Sequence, residues 1–222
     1  GENELLIIAP DEFLGELYQL ANFKNYSDRP TILLGLNYVY GTFTGVDEAE
    51  KVKRCIAAFE QSSGIDHVLL VGDVDKFPVR YRWWGLPNQE YFGVTDLYYA
   101  DLYVDGTTTF DDWDNNNNGL YGEIEFQPDG FINNDDIDFH PDVSVGRIPA
   151  SNVQELRAYV SKIINYELET YPWTMWFNTV GMYTGCWDQH NNTKKDDISS
   201  TLTSAGFSVL PTNEAMRLRY GD

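Results

Sequence analysis

The sequence predicts an α/β fold, a mostly parallel sheet covered by helices and interrupted by a long acidic loop insertion. Three observations carry this. Over the first third of the 222-residue chain, short apolar runs alternate with longer stretches of helical spacing, the order that builds a parallel sheet. The run His67-Val-Leu-Leu-Val-Gly-Asp73 stays apolar through Val71 and ends in Gly72-Asp73, which is how a buried parallel strand delivers a carboxylate to the rim of such a sheet. A second run, Asp142-Val-Ser-Val-Gly-Arg-Ile-Pro-Ala150, leads into a long helical stretch.

Taken in order, Leu5 to Ala9 reads as a strand, and Asp11 to Phe23 as a helix behind a possible Asp11 cap. Thr31 to Tyr40 is a second apolar strand, and Asp47 to Gln61 a second helix with Gly64 past its end. His67 to Val71 is the third strand, so Asp73 falls where α/β proteins bind ligands. From Asp75 to about Asp142 the regular pattern fails. Asp, Asn and Gly dominate there, while Trp83, Trp84, Tyr91, Phe92, Tyr98 and Tyr99 argue against disorder. Long irregular stretches inside compact domains are usually functional or disordered. Beyond Pro149, Ser151 is placed to cap a helix from about Val153, within a helical pattern spanning 152–169. A strand at 178–183, a helix at 196–204 and a strand at 207–210 complete the reading. Two α/β subdomains are expected, 1–147 including the acidic region 74–141, and 148–222 as an incomplete second one.

The formal net charge is −20 and the pI about 4.3. Such a surface repels phosphate backbones, which excludes a nucleic-acid partner and points to calcium, salt tolerance or solubility. No run approaches the roughly 20 apolar residues of a membrane span. Cys55 and Cys186 allow at most one disulfide. Gly-x-Ser-x-Gly, His-Glu-x-x-His and phosphate-loop patterns are all missing, so serine-hydrolase, zinc-peptidase and nucleotide-binding readings find no support.

Ordered loops without regular structure need another source of stability, and the sequence offers a ligand run at 112–123. Counting Asp112 as first, oxygen donors fall at the first, third, fifth and seventh places (Asp112, Asp114, Asn116, Asn118), with Glu123 at the twelfth. That is the spacing of an EF-hand loop around a hard cation. Asn117 stands where glycine is expected, although Asn tolerates left-handed backbone, and Gly119 falls two places late. Neither flank reads as a helix. The expectation is therefore an EF-like loop holding structural calcium rather than zinc. The acidic cluster 133–138, Asp101 and Asp105 are further ligand candidates. A solvated polar turn without metal is the plain alternative.

These runs, with Leu5-Leu-Ile-Ile-Ala-Pro-Asp-Glu-Phe13 and Asp96-Leu-Tyr-Tyr-Ala-Asp-Leu102, resemble the gingipain-type cysteine peptidases, relatives of caspases and legumains. The resemblance implies a caspase-like fold and attack on a peptide carbonyl by a Cys thiolate assisted by His. Members carry a catalytic His, usually followed by Gly, and then a Cys. Neither is recognisable here. His67 precedes a strand, His140 lies in an acidic turn, and Cys55 sits inside a helical pattern as a small core residue. Cys186 and His190 are close in sequence at a strand end, but that strand comes too early for the family's dyad. No catalytic residue is assigned.

The resemblance thus implies the N-terminal part of a cysteine endopeptidase, providing scaffold and part of the substrate cleft. Asp73 and Asp188 are the substrate-binding candidates, Asp188 as a partner for a basic side chain. The expected dyad lies downstream of Asp222 or on a second polypeptide; a truncated chain, a cleavage product and an inactive relative all fit. The expected partner is a peptide or protein substrate. The start, Gly1-Glu-Asn-Glu, shows no signal segment, and the resemblance favours a secreted protein whose signal has been removed. The rival function is a non-catalytic, calcium-stabilised extracellular binding or adhesion module, with Trp83, Trp84 and Trp187 available to stack on sugars or peptides.

Overall fold

The structure, a computed structural model, describes residues 4–86, 89–169, 178–181 and 189–210. In chain order it begins with β1 (Leu5–Ala9), α1 (Leu14–Tyr26), β2 (Thr31–Gly35), α2 (Leu36–Thr42), α3 (Glu48–Ser63) and β3 (His67–Val71). An insertion follows, with β4 (Arg80–Leu86), β5 (Gln89–Thr95), α4 (Leu97–Ala100), β6 (Tyr121–Gln127) and β7 (Gly130–Asn133). The chain then returns through β8 (Ser144–Ile148) and α5 (Val153–Glu169). It divides into two compact units, Gly1–Ile164 and Asn165–Asp222.

In the first unit the main sheet has the order β2-β1-β3-β8, and every pairing is parallel. Both faces are buried, which explains why its strands read as unbroken apolar runs. From β1, Leu6 and Ile8 enter a core with Val52, Ile56, Leu36 and Val39 of α2 and α3. Ile7 and Ala9 enter the opposite core with Leu17 and Leu20 of α1 and Leu156 and Val160 of α5. Each such Leu, Ile or Val side chain, fully removed from water, contributes about 1.5–3 kcal/mol. Alternate residues of one strand therefore hold helices on both sides.

Three expectations are corrected here. The run 31–40 is not one strand: it stops at Gly35 and continues as α2. The cause is remote. The Asp11 carboxylate accepts the Asn37 amide at 3.0 Å, and it lies 2.6 Å from where a Cβ on Gly35 would sit, so glycine lets a carboxylate cap the new helix. Helix α5 is capped by Asn152 rather than Ser151, because Asn152 Oδ1 accepts the Glu155 amide at 3.0 Å. Glu155 reaches back to the Ser151 amide at 2.9 Å, a variant of the capping box.

The region 75–142 is not irregular throughout. It holds a four-stranded sheet of order β5-β4-β6-β7, with β4 and β6 parallel and the outer pairs antiparallel. Arg80 and Arg82 occupy inward positions on β4, stacked on Tyr121 and Phe139, so charged residues stand where the alternating pattern demands apolar ones. A register shift between Arg82 and Trp84 also breaks the period of β6.

The second unit shows β9 (Thr179–Gly181), α6 (Gln189–Ser204) and β10 (Ser208–Leu210) among its described residues, with β9 and β10 parallel.

Candidate functional site

The carboxyl ends of β1, β3 and β8 form one rim. Sheet order reverses between β1, which leads to β2 on one side, and β3 on the other, and α/β sheets bind ligands at such a crevice. Glu12 and Lys76 face each other across it, Lys76 Nζ lying 2.9 Å from Glu12 Oε1. Asp73 stands beside them. Its amide donates to Ala150 O at 3.1 Å, its Oδ1 accepts the Val74 amide at 2.8 Å, and its Oδ2 lies 3.4 Å from Ser151 Oγ. The turn that places it requires Gly72, whose φ is +131° and whose Cβ would meet Phe77 Cβ at 3.0 Å.

Beneath the rim, Arg147 of β8 makes a two-pronged pair with Asp96, Nε to Oδ2 and Nη2 to Oδ1, each at 2.7 Å. Its third contact is Nη1 to Gly72 O at 2.9 Å. Planar guanidinium suits this fork, and lysine would not reproduce it. Arg147 thus locks the Gly72 turn to the start of α4, and both residues lie in the runs that sequence reading singled out. Their pairing was not visible there, because it joins positions 51 residues apart.

The acidic run folds into a compact loop. Asn117 has φ +58° and Gly119 φ +81°, both left-handed. Asp112 Oδ1 accepts the Asp114 amide at 3.1 Å, and the Asp114 carboxylate accepts the amides of Asn118 (2.9 Å) and Gly119 (3.1 Å). Glu123 is buried, and its Oε2 accepts the side-chain amides of Asn116 (2.6 Å) and Asn118 (2.8 Å). The structure therefore brings Asp114, Asn116, Asn118 and Glu123 together. Asp135, from the cluster 133–138, joins them: its Oδ2 accepts the Glu123 amide at 2.9 Å, while its Oδ1 has no hydrogen-bond partner. Burial raises its carboxyl above the ordinary range, and the charges of Glu123 and Asp114 push the same way against the backbone amides of Glu123 and Asn116.

Next to this run lies a buried cluster of charged side chains that sequence reading missed. Lys53 of α3 is fully buried with its ammonium 4.4 Å from the Tyr98 ring and without a hydrogen bond. Burial lowers it, opposed by the charges of Asp111, Asp101 and Asp112. Asp101 accepts Trp113 Nε1 at 3.1 Å and is raised, chiefly by burial. A lysine on the apolar face of a helix was the available signal. Separately, ligand atoms of Asp105, Asp138 and His140 lie within 4.8 Å of one another at the surface.

Cys55 is fully buried and free, and burial pushes its thiol up to about 12. His67 and His140 are exposed. None of these three is arranged as a nucleophile and its base. Cys186 and Asp188 lie outside the described residues, as does the side chain of His190.

The fold is shared with solved peptidases. The complex of Porphyromonas gingivalis RgpB pro- and mature domains is similar at a TM-score of 0.63 and 15% identity, over 95% of this chain and 41% of that one. The Arg-specific cysteine proteinase gingipain R (RgpB) gives 0.64 and 14%, again over 95% and 41%. A structure described only as a protease gives 0.54 and 18%, over 83% and 33%. This chain thus spans 41% of the RgpB chains it matches. No curated protein matches. The model of Peptidase family C25 matches residues 1–218, taking in the β3 rim, the Arg147 lock and the loop between them, and on that match the chain belongs to Peptidase family C25.

Proposed function

We propose that this chain is the N-terminal part of a secreted, gingipain-like cysteine endopeptidase, supplying scaffold and part of the substrate cleft. The observation that carries this is the rim at Gly72-Asp73, held by Arg147 and Asp96, in a chain matched along its length by a peptidase family. In this reading the thiolate and imidazole come from sequence beyond Asp222 or from a second polypeptide, and attack a peptide carbonyl. Asp73 lines the cleft, and Asp188 is the candidate for receiving a basic side chain. The loop from Asp112 to Glu123 holds structural calcium: its donors are hard oxygens, and an unpartnered buried Asp135 oxygen beside them fits a cation.

The test is peptide hydrolysis by this chain alone and by the same chain joined to the coding sequence that follows it. The extended protein is expected to cleave peptides and to lose activity with a thiol-alkylating reagent, while the chain alone is inert. Hydrolysis by the chain alone would overturn the scaffold reading. An inert extended protein that still binds sugars or peptides would favour the non-catalytic binding module.

A further inference from the structure

We infer that the acidic run binds its hard divalent cation in a register that starts at Asp114 rather than Asp112, with Asp135, from outside the run, as an added ligand. This rests on the calcium reading above and says which atoms make the site.

Counted from Asp114, the residues Asp114-Asn-Asn-Asn-Asn-Gly119 put oxygen donors at the first, third and fifth places and glycine at the sixth, where the loop needs its sharp turn. The backbone follows that count. Gly119 is left-handed at φ +81°, and its amide donates to the Asp114 carboxylate five residues back, alongside the Asn118 amide. The first-place carboxylate thereby winds the loop around itself. Asp112 is engaged elsewhere: it caps the Asp114 amide, and its charge acts on Lys53 and Asp111. The seventh place, which ligates through a backbone carbonyl, becomes Leu120.

In an EF-hand the closing carboxylate comes at the twelfth place, on a helix that rises about 1.5 Å per residue. Here the chain leaves the loop as strand β6, which rises about 3.3 Å per residue. A carboxylate two places earlier therefore covers the distance, and Glu123 is the tenth. Its Oε2 already gathers the side chains of Asn116 and Asn118.

Asp135 supplies the independent observation. It is 0% exposed, its Oδ2 is fixed by the Glu123 amide, and its Oδ1 has no partner. A buried carboxylate oxygen left without a donor is costly. None of Asp114, Glu123 and Asp135 is ion-paired among the described residues, so three negative groups lie around this loop with no basic side chain paired to them. A doubly charged cation answers both deficits. The carboxylates do not yet meet at one point, since the Asp105, Asp138 and His140 group is the one acid or imidazole trio within 4.8 Å among the described residues. A cation held by all three would require the loop to draw inward.

The test is calorimetric titration of the chain with calcium chloride after chelation, with thermal melting in chelator as a second readout. The parent is expected to bind calcium, Asp112→Asn to keep its affinity within about threefold, and Asp114→Asn, Glu123→Gln and Asp135→Asn each to lose tenfold or more. In chelator, Asp135→Asn is expected to melt at or above the parent, because it relieves an unpaired buried charge; a purely structural Asp135 would lower the midpoint. If Asp112→Asn loses as much as Asp114→Asn while Asp135→Asn binds like the parent, the register is overturned and the calcium reading survives. A parent that binds no calcium overturns the calcium reading itself.

Discussion

Arg80 grips Asp47 with both terminal nitrogens, Nη1 to Oδ2 at 2.7 Å and Nη2 to Oδ1 at 3.0 Å. The pair ties the first strand of the insertion to the start of α3, because Asp47 Oδ1 also accepts the Glu50 amide at 2.9 Å as that helix's N-cap. Glu50 reaches back to the Val46 amide at 2.8 Å, a variant of the capping box. Arg80 itself is buried, donates to Tyr98 Oη at 3.1 Å, and lies 3.7 Å from the Tyr121 ring centre. One carboxylate thus serves helix and insertion at once.

Asp47→Ala is expected to lose stability in a way that depends on pH. Burial works to raise the Asp47 carboxyl, but the Arg80 and Glu50 hydrogen bonds and the Arg80 charge outweigh it and hold it below its ordinary value. A carboxyl lowered by folding contributes stability that is present above its unfolded value and is lost as pH falls through the folded one. The side chain is 42% exposed, so solvent screening trims the ion pair, and loss of cap and pair together costs about 2 kcal/mol at neutral pH. Urea unfolding of parent and variant at neutral and strongly acid pH checks it. A stability gap that stays constant into acid would refute the electrostatic part.

Much of this was legible in the chain because the main sheet is buried on both faces. Runs such as His67 to Val71 must then be apolar throughout, and the structure returns that strand with the same limits. What stayed hidden depends on partners distant in sequence. The helix after Gly35 exists because Asp11 caps it from 26 residues away. The insertion sheet uses Arg80 and Arg82 at inward positions, Arg80 paired with Asp47 and both stacked on aromatic faces that no local period reveals. At the acidic loop the donor types were readable, but the fold adds Asp135, held by a hydrogen bond to Glu123 across 12 residues.

Cys55 is expected to be inert while the chain is folded. Only the thiolate is strongly nucleophilic, and burial among Leu6, Val52 and Ile56 in the core beneath the sheet pushes this thiol up to about 12. Alkylation with a maleimide at mildly alkaline pH, followed by peptide mapping, should leave Cys55 unmodified in the native chain and modify it fully in urea. Rapid native labelling at Cys55 would contradict the burial. The same result bears on function, because inhibition of an extended enzyme by thiol reagents then cannot be assigned to Cys55.

Gly122→Ala tests the junction between the buried charged cluster and the ligand loop. Trp113 is fully buried, donates Nε1 to Asp101, and meets Tyr98 and Phe139 edge-on at 5.6 and 5.7 Å. Gly122 donates its amide to Trp113 O at 2.8 Å and has φ +60°. A Cβ there would lie 2.9 Å from Trp113 Cε3, and the ring, packed on several sides, has no flexible end to yield. The variant therefore carries left-handed strain of about 1 kcal/mol plus overpacking of about 1–3 kcal/mol. Gly106 separates the two, because its φ is +67° but nothing lies within 4 Å of its Cβ position, so Gly106→Ala should show the strain alone. Denaturant unfolding of both variants in chelator is the measurement. Equal losses would mean that the Trp113 contact adds nothing, whereas the larger loss at Gly122 marks the indole as the fixed surface against which the strand bearing Glu123 is set.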